Sequence, residues 1–236
     1  MIRAVIVDDE RHAREELSSL LAEVGDVEVV ASCGNAVEAL RAINRERPEA
    51  LFLDVQMPVL GGFELLSMIA EELLPQVVFV TAYDEYALKA FEEQTLDYLL
   101  KPVEPLRLAK TLARLRQTLQ SGESPRYETP PLQRIPCVCA SRIKLIDPVE
   151  VEHVRSELSG VHLVTAAGSF FTELTLKTLE DRTSLMRCHR QYLVNVARID
   201  EIQLLENGLA EIRTRSGNRL PVSRRYLRRL KEKLAL

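Results

Sequence analysis

The chain has 236 residues, 46% hydrophobic and 28% charged, with no tryptophan, 9 glycines and 11 prolines. That composition excludes a disordered, fibrous or low-complexity chain and supplies apolar material for two modest cores. The formal net charge of −4 conceals an asymmetry, because residues 1–120 hold 12 basic and 21 acidic residues and residues 121–236 hold 19 and 14. An acidic half that gathers cations, joined to a basic half that meets something anionic, is therefore expected. No run of about 18 apolar residues is present to span a membrane. The start MIRAVIVDDE lacks the apolar run and cleavage site of an export signal. Cys33, Cys137, Cys139 and Cys188 read as reduced thiols of a cytoplasmic protein, since a chain of this length needs no disulfide staples.

In chain order, short β-branched or apolar runs at 4–7, 27–31, 50–53, 77–80 and 96–100 predict strands. Between them lie stripes of helical period: Ala13, Leu17, Leu20, Leu21 and Val24, then Val37, Leu40 and Ile43, then Phe63, Leu66 and Ile69. A last helix over 104–119 carries Leu108, Leu112 and Leu115. Alternating strands and helices predict βαβ units and a doubly wound five-stranded parallel sheet covered on both faces. Residues 120–131, with three prolines and little to bury, read as a linker. Beyond it, runs at 143–146, 161–165, 192–196, 202–205, 209–214 and 220–222 predict strands. Turns are expected at Asn207-Gly208 and Ser216-Gly217-Asn218, and helices over 174–180 and 224–234. This second half is mostly β.

In an open parallel sheet, functional groups gather at the carboxyl ends of strands. Asp8 and Asp9 follow the first predicted strand, Asp54 the third, Thr81 the fourth and Lys101 the fifth. Three carboxylates in one crevice repel each other, and a hard divalent cation relieves that repulsion. Mg²⁺ suits such a site because it takes a few carboxylates and keeps positions for a phosphoryl oxygen. A carboxylate is also a nucleophile able to form an acyl phosphate, with a hydroxyl and an ammonium holding the remaining oxygens. One Asp-Asp pair or one Lys-Pro would be no more than a capped turn or a loop; five elements at the right strand ends in order point to a site.

The segments VIVDDE, LFLDVQMP, VTAYDEYA and DYLLKP resemble the receiver domain of two-component response regulators, over residues 1–119. The resemblance implies Asp54 as phosphoacceptor. It implies Mg²⁺ held by Asp8, Asp9, Asp54 and the backbone carbonyl of Gln56. It makes Thr81 the switch hydroxyl, Tyr98 the switch aromatic and Lys101 the phosphate-pairing cation, with a cis Lys101–Pro102 peptide. Gln56 and Tyr83, two residues past Asp54 and Thr81, occupy positions that influence how fast water reaches the acyl phosphate.

The segment Leu185-Met-Arg-Cys-His-Arg-Gln-Tyr-Leu-Val-Asn-Val-Ala-Arg-Ile-Asp200 resembles the signature of the LytTR DNA-binding domain. Ser159-Gly-Val-His162, the helix from Leu174, Glu206-Asn-Gly208 and Pro221-Val-Ser-Arg-Arg-Tyr226 extend the likeness over residues 132–236. That family is mostly β and places loops, not a recognition helix, into successive major grooves. The resemblance puts His162, Arg190 and Arg224 in base-reading loops, where arginine suits guanine O6 and N7. Arg187, His189, Ser223 and Arg225 become phosphate or supporting contacts, with Arg142 and Lys144 adding charge. His162 and His189 equally fit a strand surface and a satisfied structural histidine. The cationic run from Arg224 to Lys233 fits the solvated face of a helix packed through Leu227, Leu230 and Leu234. The C-x-C spacing of Cys137 and Cys139 is wrong for common zinc sites.

The sequence therefore reads as a response regulator and transcription factor, not an enzyme. Its expected partners are a membrane histidine kinase, promoter DNA with two repeated half-sites, and a second copy when phosphorylated. The likeness is greatest to regulators paired with LytS-type kinases, including those answering extracellular pyruvate. An RNA-binding output would be helical. An enzymatic output would show a glycine-rich phosphate loop, a nucleophile elbow or a histidine–carboxylate cluster after residue 120, and none is present.

Overall fold

The computed structural model describes residues 1–83, 95–122, 125, 127, 130–139, 142–205 and 209–234. Asp84–Ala87 and Glu206–Gly208, which carry part of one motif and one predicted turn, lie outside the described residues. The chain divides into two compact units, Met1–Thr129 and Pro130–Leu236.

In the first unit, β1 (Ile2–Val7), β2 (Val27–Cys33), β3 (Ala50–Leu53), β4 (Gln76–Thr81) and β5 (Asp97–Leu100) form one sheet in the order β2-β1-β3-β4-β5. Every pairing is parallel. β3 and β4 are buried along their whole length, as strands covered on both faces must be. α1 (Arg11–Val24) ends at Gly25, whose φ of 80° suits a residue without a side chain. α2 (Ala36–Glu46) starts where the Asn35 side chain accepts from the Val37 and Glu38 amides. α3 (Gly62–Met68) lays Phe63 against Phe79 of β4, ring centroids 4.8 Å apart. α4 (Pro105–Ser121) begins with proline at its first turn and buries Leu108, Leu112 and Leu115 beside Leu17 and Leu21 of α1. α4 runs into the segment read as linker. Tyr127, also in that segment, is buried: its hydroxyl donates to the Pro75 carbonyl (3.1 Å) and accepts from the Val77 amide (3.0 Å).

The second unit holds two antiparallel sheets. The larger has seven strands in the order β11-β12-β8-β9-β10-β6-β7. They are β6 (Ile135–Cys139), β7 (Arg142–Ile146), β8 (Val151–Glu157), β9 (Gly160–Thr165), β10 (Gly168–Thr172), β11 (Met186–His189) and β12 (Tyr192–Val194). The smaller joins β13 (Ile199–Leu204), β14 (Ala210–Thr214) and β15 (Arg219–Val222). α5 (Leu176–Arg182) is capped by Thr175, and α6 (Arg224–Leu234) closes the described chain. Cys188, Val194, Ile212, Val222 and Leu230 share one core, so α6 and the smaller sheet pack on β11 and β12.

Four strands, β6, β8, β10 and β11, escape the sequence reading. β6 contains Pro136, β10 opens on a glycine, and β11 reads MRCH without β-branched residues. The strand expected over 192–196 stops at Val194, because the Asn195 side chain accepts from the Ala197 amide and starts a 3₁₀ turn.

Candidate phosphoacceptor site and nucleic-acid interface

Parallel pairing brings the ends of β1, β3, β4 and β5 to one edge of the sheet. The Asp54 amide donates to the Val7 carbonyl (2.8 Å), and the Lys101 amide donates to the Thr81 carbonyl (2.9 Å). These bonds bring Asp8, Asp9, Asp54, Thr81 and Lys101 to the same edge, beside a cavity of about 560 Å³ lined by Asp9, Asp54, Gln56, Tyr83 and Lys101. Gly62 lets α3 start directly under the phosphoacceptor candidate, since a Cβ there would collide with the Asp54 carbonyl oxygen. The Lys101–Pro102 peptide is cis.

The electrostatics of this crevice are strongly coupled. Asp8 and Asp54 are buried and Asp9 is exposed, with one oxygen of each within 4.8 Å of the others. Lys101 Nζ bridges the two buried carboxylates, 2.6 Å from Asp8 Oδ2 and 3.0 Å from Asp54 Oδ2. Burial pushes the Asp8 carboxyl above its usual range, although Lys101 and the Glu10 amide pull the other way. Burial alone would lower the Lys101 ammonium, but its bonds to Asp8 and Asp54 hold it above the usual lysine value.

The donor set fits a hard divalent cation: three carboxylates whose charge one lysine leaves uncompensated. The Thr81 hydroxyl is completely buried and has no hydrogen-bond partner among the described residues. A buried hydroxyl left alone is costly and marks a place that an added oxygen completes. Tyr98 is half-buried on β5, 6.5 Å from Phe79 between ring centroids, and its hydroxyl donates to the Tyr83 carbonyl. The Gln56 amide rests 3.4 Å from Asp54 Oδ1. Sequence reasoning missed Arg14, whose guanidinium donates to the Asp8 carbonyl at 2.6 Å and holds the loop after β1. Its place on α1, one turn into the helix, was the available signal.

In the second unit two candidate cations, Arg190 and Arg224, lie on an exposed turn and at a helix start. Arg190 sits in the turn between β11 and β12, exposed, with no side-chain bond to another described residue. Arg224 opens α6 and is exposed. Ser223, just before it, anchors that start: its amide donates to the Cys188 carbonyl (3.1 Å), and its carbonyl accepts from Tyr226 and Leu227. Arg225 lies over the Tyr226 ring, 5.5 Å from its centroid.

Other sequence candidates are held within the unit. His162 stands in strand β9 and not in a loop, its Nε2 3.0 Å from Ser159 Oγ and its ring edge-on to Phe171. Arg187 Nε donates to Glu180 (2.9 Å) and its Nη1 to the Arg190 carbonyl (3.1 Å), so it braces the turn that carries Arg190. His189 Nδ1 accepts from the Gln191 amide, which closes the same turn. Lys144 covers the Phe170 ring at 3.9 Å. Arg228 pairs with Glu232 and Arg229 with Glu180. Burial pushes the Cys137 and Cys188 thiols up to about 12, which keeps both protonated.

Comparison with known proteins agrees with this division. Residues 4–113 match the response regulator receiver domain, and residues 141–235 match the LytTr DNA-binding domain. An uncharacterized response regulatory protein of Vibrio cholerae is 55% identical over 99% of both chains. This chain belongs to the LytTR family of response regulators. The transcriptional regulatory protein BtsR of Escherichia coli K12 is 52% identical over the full length of both. Among solved structures, the response regulatory domain of mrkE from Klebsiella pneumoniae is 33% identical, covers 51% of this chain and 99% of its own, and has a TM-score of 0.47. The regulator thus couples a phosphorylation-responsive receiver to a DNA-binding output that controls transcription, a non-enzymatic role with a kinase and DNA as partners. No helix among the described residues is long and apolar enough to cross a membrane.

Proposed function

We propose that Asp54 is the phosphoacceptor and that its phosphorylation controls base reading by Arg190 and Arg224. The observation that carries this is the Lys101 bridge between two buried carboxylates, with a buried Thr81 hydroxyl that has no partner among the described residues. A carboxylate oxygen of Asp54 attacks phosphorus in a kinase phosphohistidine or a small phosphodonor. The bond to the leaving group breaks, and the leaving group keeps the electron pair. Asp8, Asp9, Asp54 and the Gln56 carbonyl would hold Mg²⁺, which would supply positive charge to the phosphoryl oxygens. Lys101 then turns from the Asp54 carboxylate to a phosphoryl oxygen, and the Thr81 hydroxyl finds in another the acceptor it lacks. Movement of Thr81 leaves room for Tyr98 to turn inward, a shift between two populated states.

That shift favours a homodimer, which raises the local concentration of the second DNA-binding unit on paired half-sites. Arg190 and Arg224 read bases, and His162 adds a contact from strand β9. Arg187 and His189 support the Arg190 turn, and Ser223 and Arg225 meet phosphate. The partner kinase is a membrane sensor of the LytS type, and the regulator works in the cytoplasm. Radiolabelled acetyl phosphate with Mg²⁺ tests the first step. Label is expected on the wild type and not on a folded Asp54→Asn variant; label that persists on the variant removes the assignment.

A further inference from the structure

Glu152 is the buried carboxylate among the described residues of the second unit. In β8, Val151 pairs with Thr165 and His153 with Val164, so Glu152 is the extra residue of a β-bulge. Bulges re-aim a side chain out of the strand's alternation. Here the backbone of the bulge is fixed by Asn195, whose side chain donates to the Val151 carbonyl (2.9 Å) and whose amide donates to the Glu152 carbonyl (2.9 Å). The carboxylate then reaches the turn between β14 and β15 in the other sheet. One oxygen, Oε1, accepts from Thr214 Oγ1 (2.6 Å), Ser216 Oγ (2.6 Å) and Asn218 Nδ2 (2.7 Å). Three short bonds to an ionised acceptor form a strong, directional tie. Burial acts to raise the Glu152 carboxyl, but these donors outweigh it and hold it below its usual range.

The tie joins the two carriers of the base-reading groups. His162 and Arg190 are on the seven-stranded sheet, and Arg224 follows β15 of the three-stranded sheet. At the far end of β15 the Ser223 amide donates to the Cys188 carbonyl and joins the sheets again. We propose that Glu152 is a positioning residue for sequence recognition: through the β14–β15 turn it fixes the spacing between the Arg190 turn and Arg224. This rests on the reading of Arg190 and Arg224 as base contacts. Bidentate base contacts demand a fixed spacing, whereas long basic side chains reach phosphates from many arrangements. Loss of the tie therefore costs sequence preference and leaves non-specific binding intact.

The test uses the full chain and two probes: the duplex it enriches from a randomised pool, and a scrambled duplex of the same composition. Glu152→Gln should weaken binding to the enriched duplex by about tenfold and leave the scrambled duplex unchanged. In the double variant Glu152→Gln/Asn218→Asp the amide and carboxylate exchange sides, and preference should return. If Glu152→Gln unfolds the unit, Asn218→Ala, on the exposed turn, is expected to lose preference in the same sense. A folded Glu152→Gln or Asn218→Ala variant with wild-type preference, equal loss on both duplexes, or a double variant that restores nothing overturns the proposal. A wild-type chain that enriches no sequence removes the base-reading assignment, and this proposal with it. Retained enrichment with loss of preference in Arg190→Ala and Arg224→Ala, but not in Glu152→Gln, removes only the positioning role.

Discussion

The two units use charge in opposite ways. The receiver gathers Asp8, Asp54 and Lys101 in a crevice where each has little contact with water. The DNA-binding unit spreads Arg190, Arg224, Arg225 and Arg228 over exposed turns and a helix face. In the crevice, low dielectric makes each charge depend on its neighbours, so one substitution disturbs the whole set. On the exposed unit, water screens each arginine, so it acts almost alone and contributes chiefly when DNA arrives. On the proposed reading, clustered buried charge serves a switch, and dispersed exposed charge serves a reader whose contacts are lost one at a time.

The largest expected effect falls on the crevice. Lys101→Ala leaves Asp8 and Asp54 facing each other with no cation between them. Breaking an enclosed pair costs about 3–5 kcal/mol; because the Lys101 side chain keeps 17% of its surface exposed, about 2–3 kcal/mol is expected here. Urea unfolding without and with Mg²⁺ checks this, and added Mg²⁺ should return part of the loss. A variant as stable as wild type without the metal would mean the crevice charges are as independent as those of the DNA-binding unit.

On the reader, Arg190→Ala and Arg224→Ala should each cost about 1–3 kcal/mol on the enriched duplex and relax preference at one position. Arg228→Ala, whose side chain pairs with Glu232 on the helix surface, should weaken all sequences alike and reduce the salt slope by at most about one unit. Titrations against single-base variants at several salt concentrations separate the two outcomes. If Arg228→Ala changes base preference and Arg190→Ala does not, readers and anchors are inverted.

The smallest expected effect concerns the one buried histidine of the reader. His153 stands beside Glu152 with its Nδ1 3.6 Å from the carboxylate and without a hydrogen-bond partner among the described residues. Burial holds its pKa below the usual 6.5, Glu152 opposes this, and Arg155 adds to it. The unfolded chain therefore binds a proton that the folded unit resists. Stability from this group is complete above pH 6.5 and is lost as pH falls toward the folded value. Hydrogen exchange of β8 peptides, corrected for intrinsic rate, should show less protection at pH 5.5 than at pH 7.5. His153→Gln should remove the difference.

What could be read from the sequence follows the same division. Asp8, Asp54, Thr81 and Lys101 each directly end or follow an apolar run, so strand recognition alone placed them together. The second unit was legible as a family from the local segment 185–200, but the partners of its side chains lie far apart in the chain. Glu152 and Ser216 lie 64 residues apart, and nothing in VEHVRSE announces a bulge. Arg187 read as an available cation because its partner, Glu180, belongs to a separate helix. Tyr127 looked like linker because its hydrogen-bond partners lie at the start of β4. Val59 carries a φ of 73°, a left-handed backbone that its β-branched side chain gives no hint of.

The central claim is that charge placed on Asp54 in the crevice changes what the exposed arginines hold. It is tested most directly by binding of the enriched duplex to wild type and to Asp54→Asn, each with and without acetyl phosphate and Mg²⁺. The account predicts at least about tenfold tighter binding on phosphorylation of the wild type, from paired occupancy of the half-sites, and no response in Asp54→Asn. Equal affinity in all four conditions, with label on wild-type Asp54 verified, would contradict it.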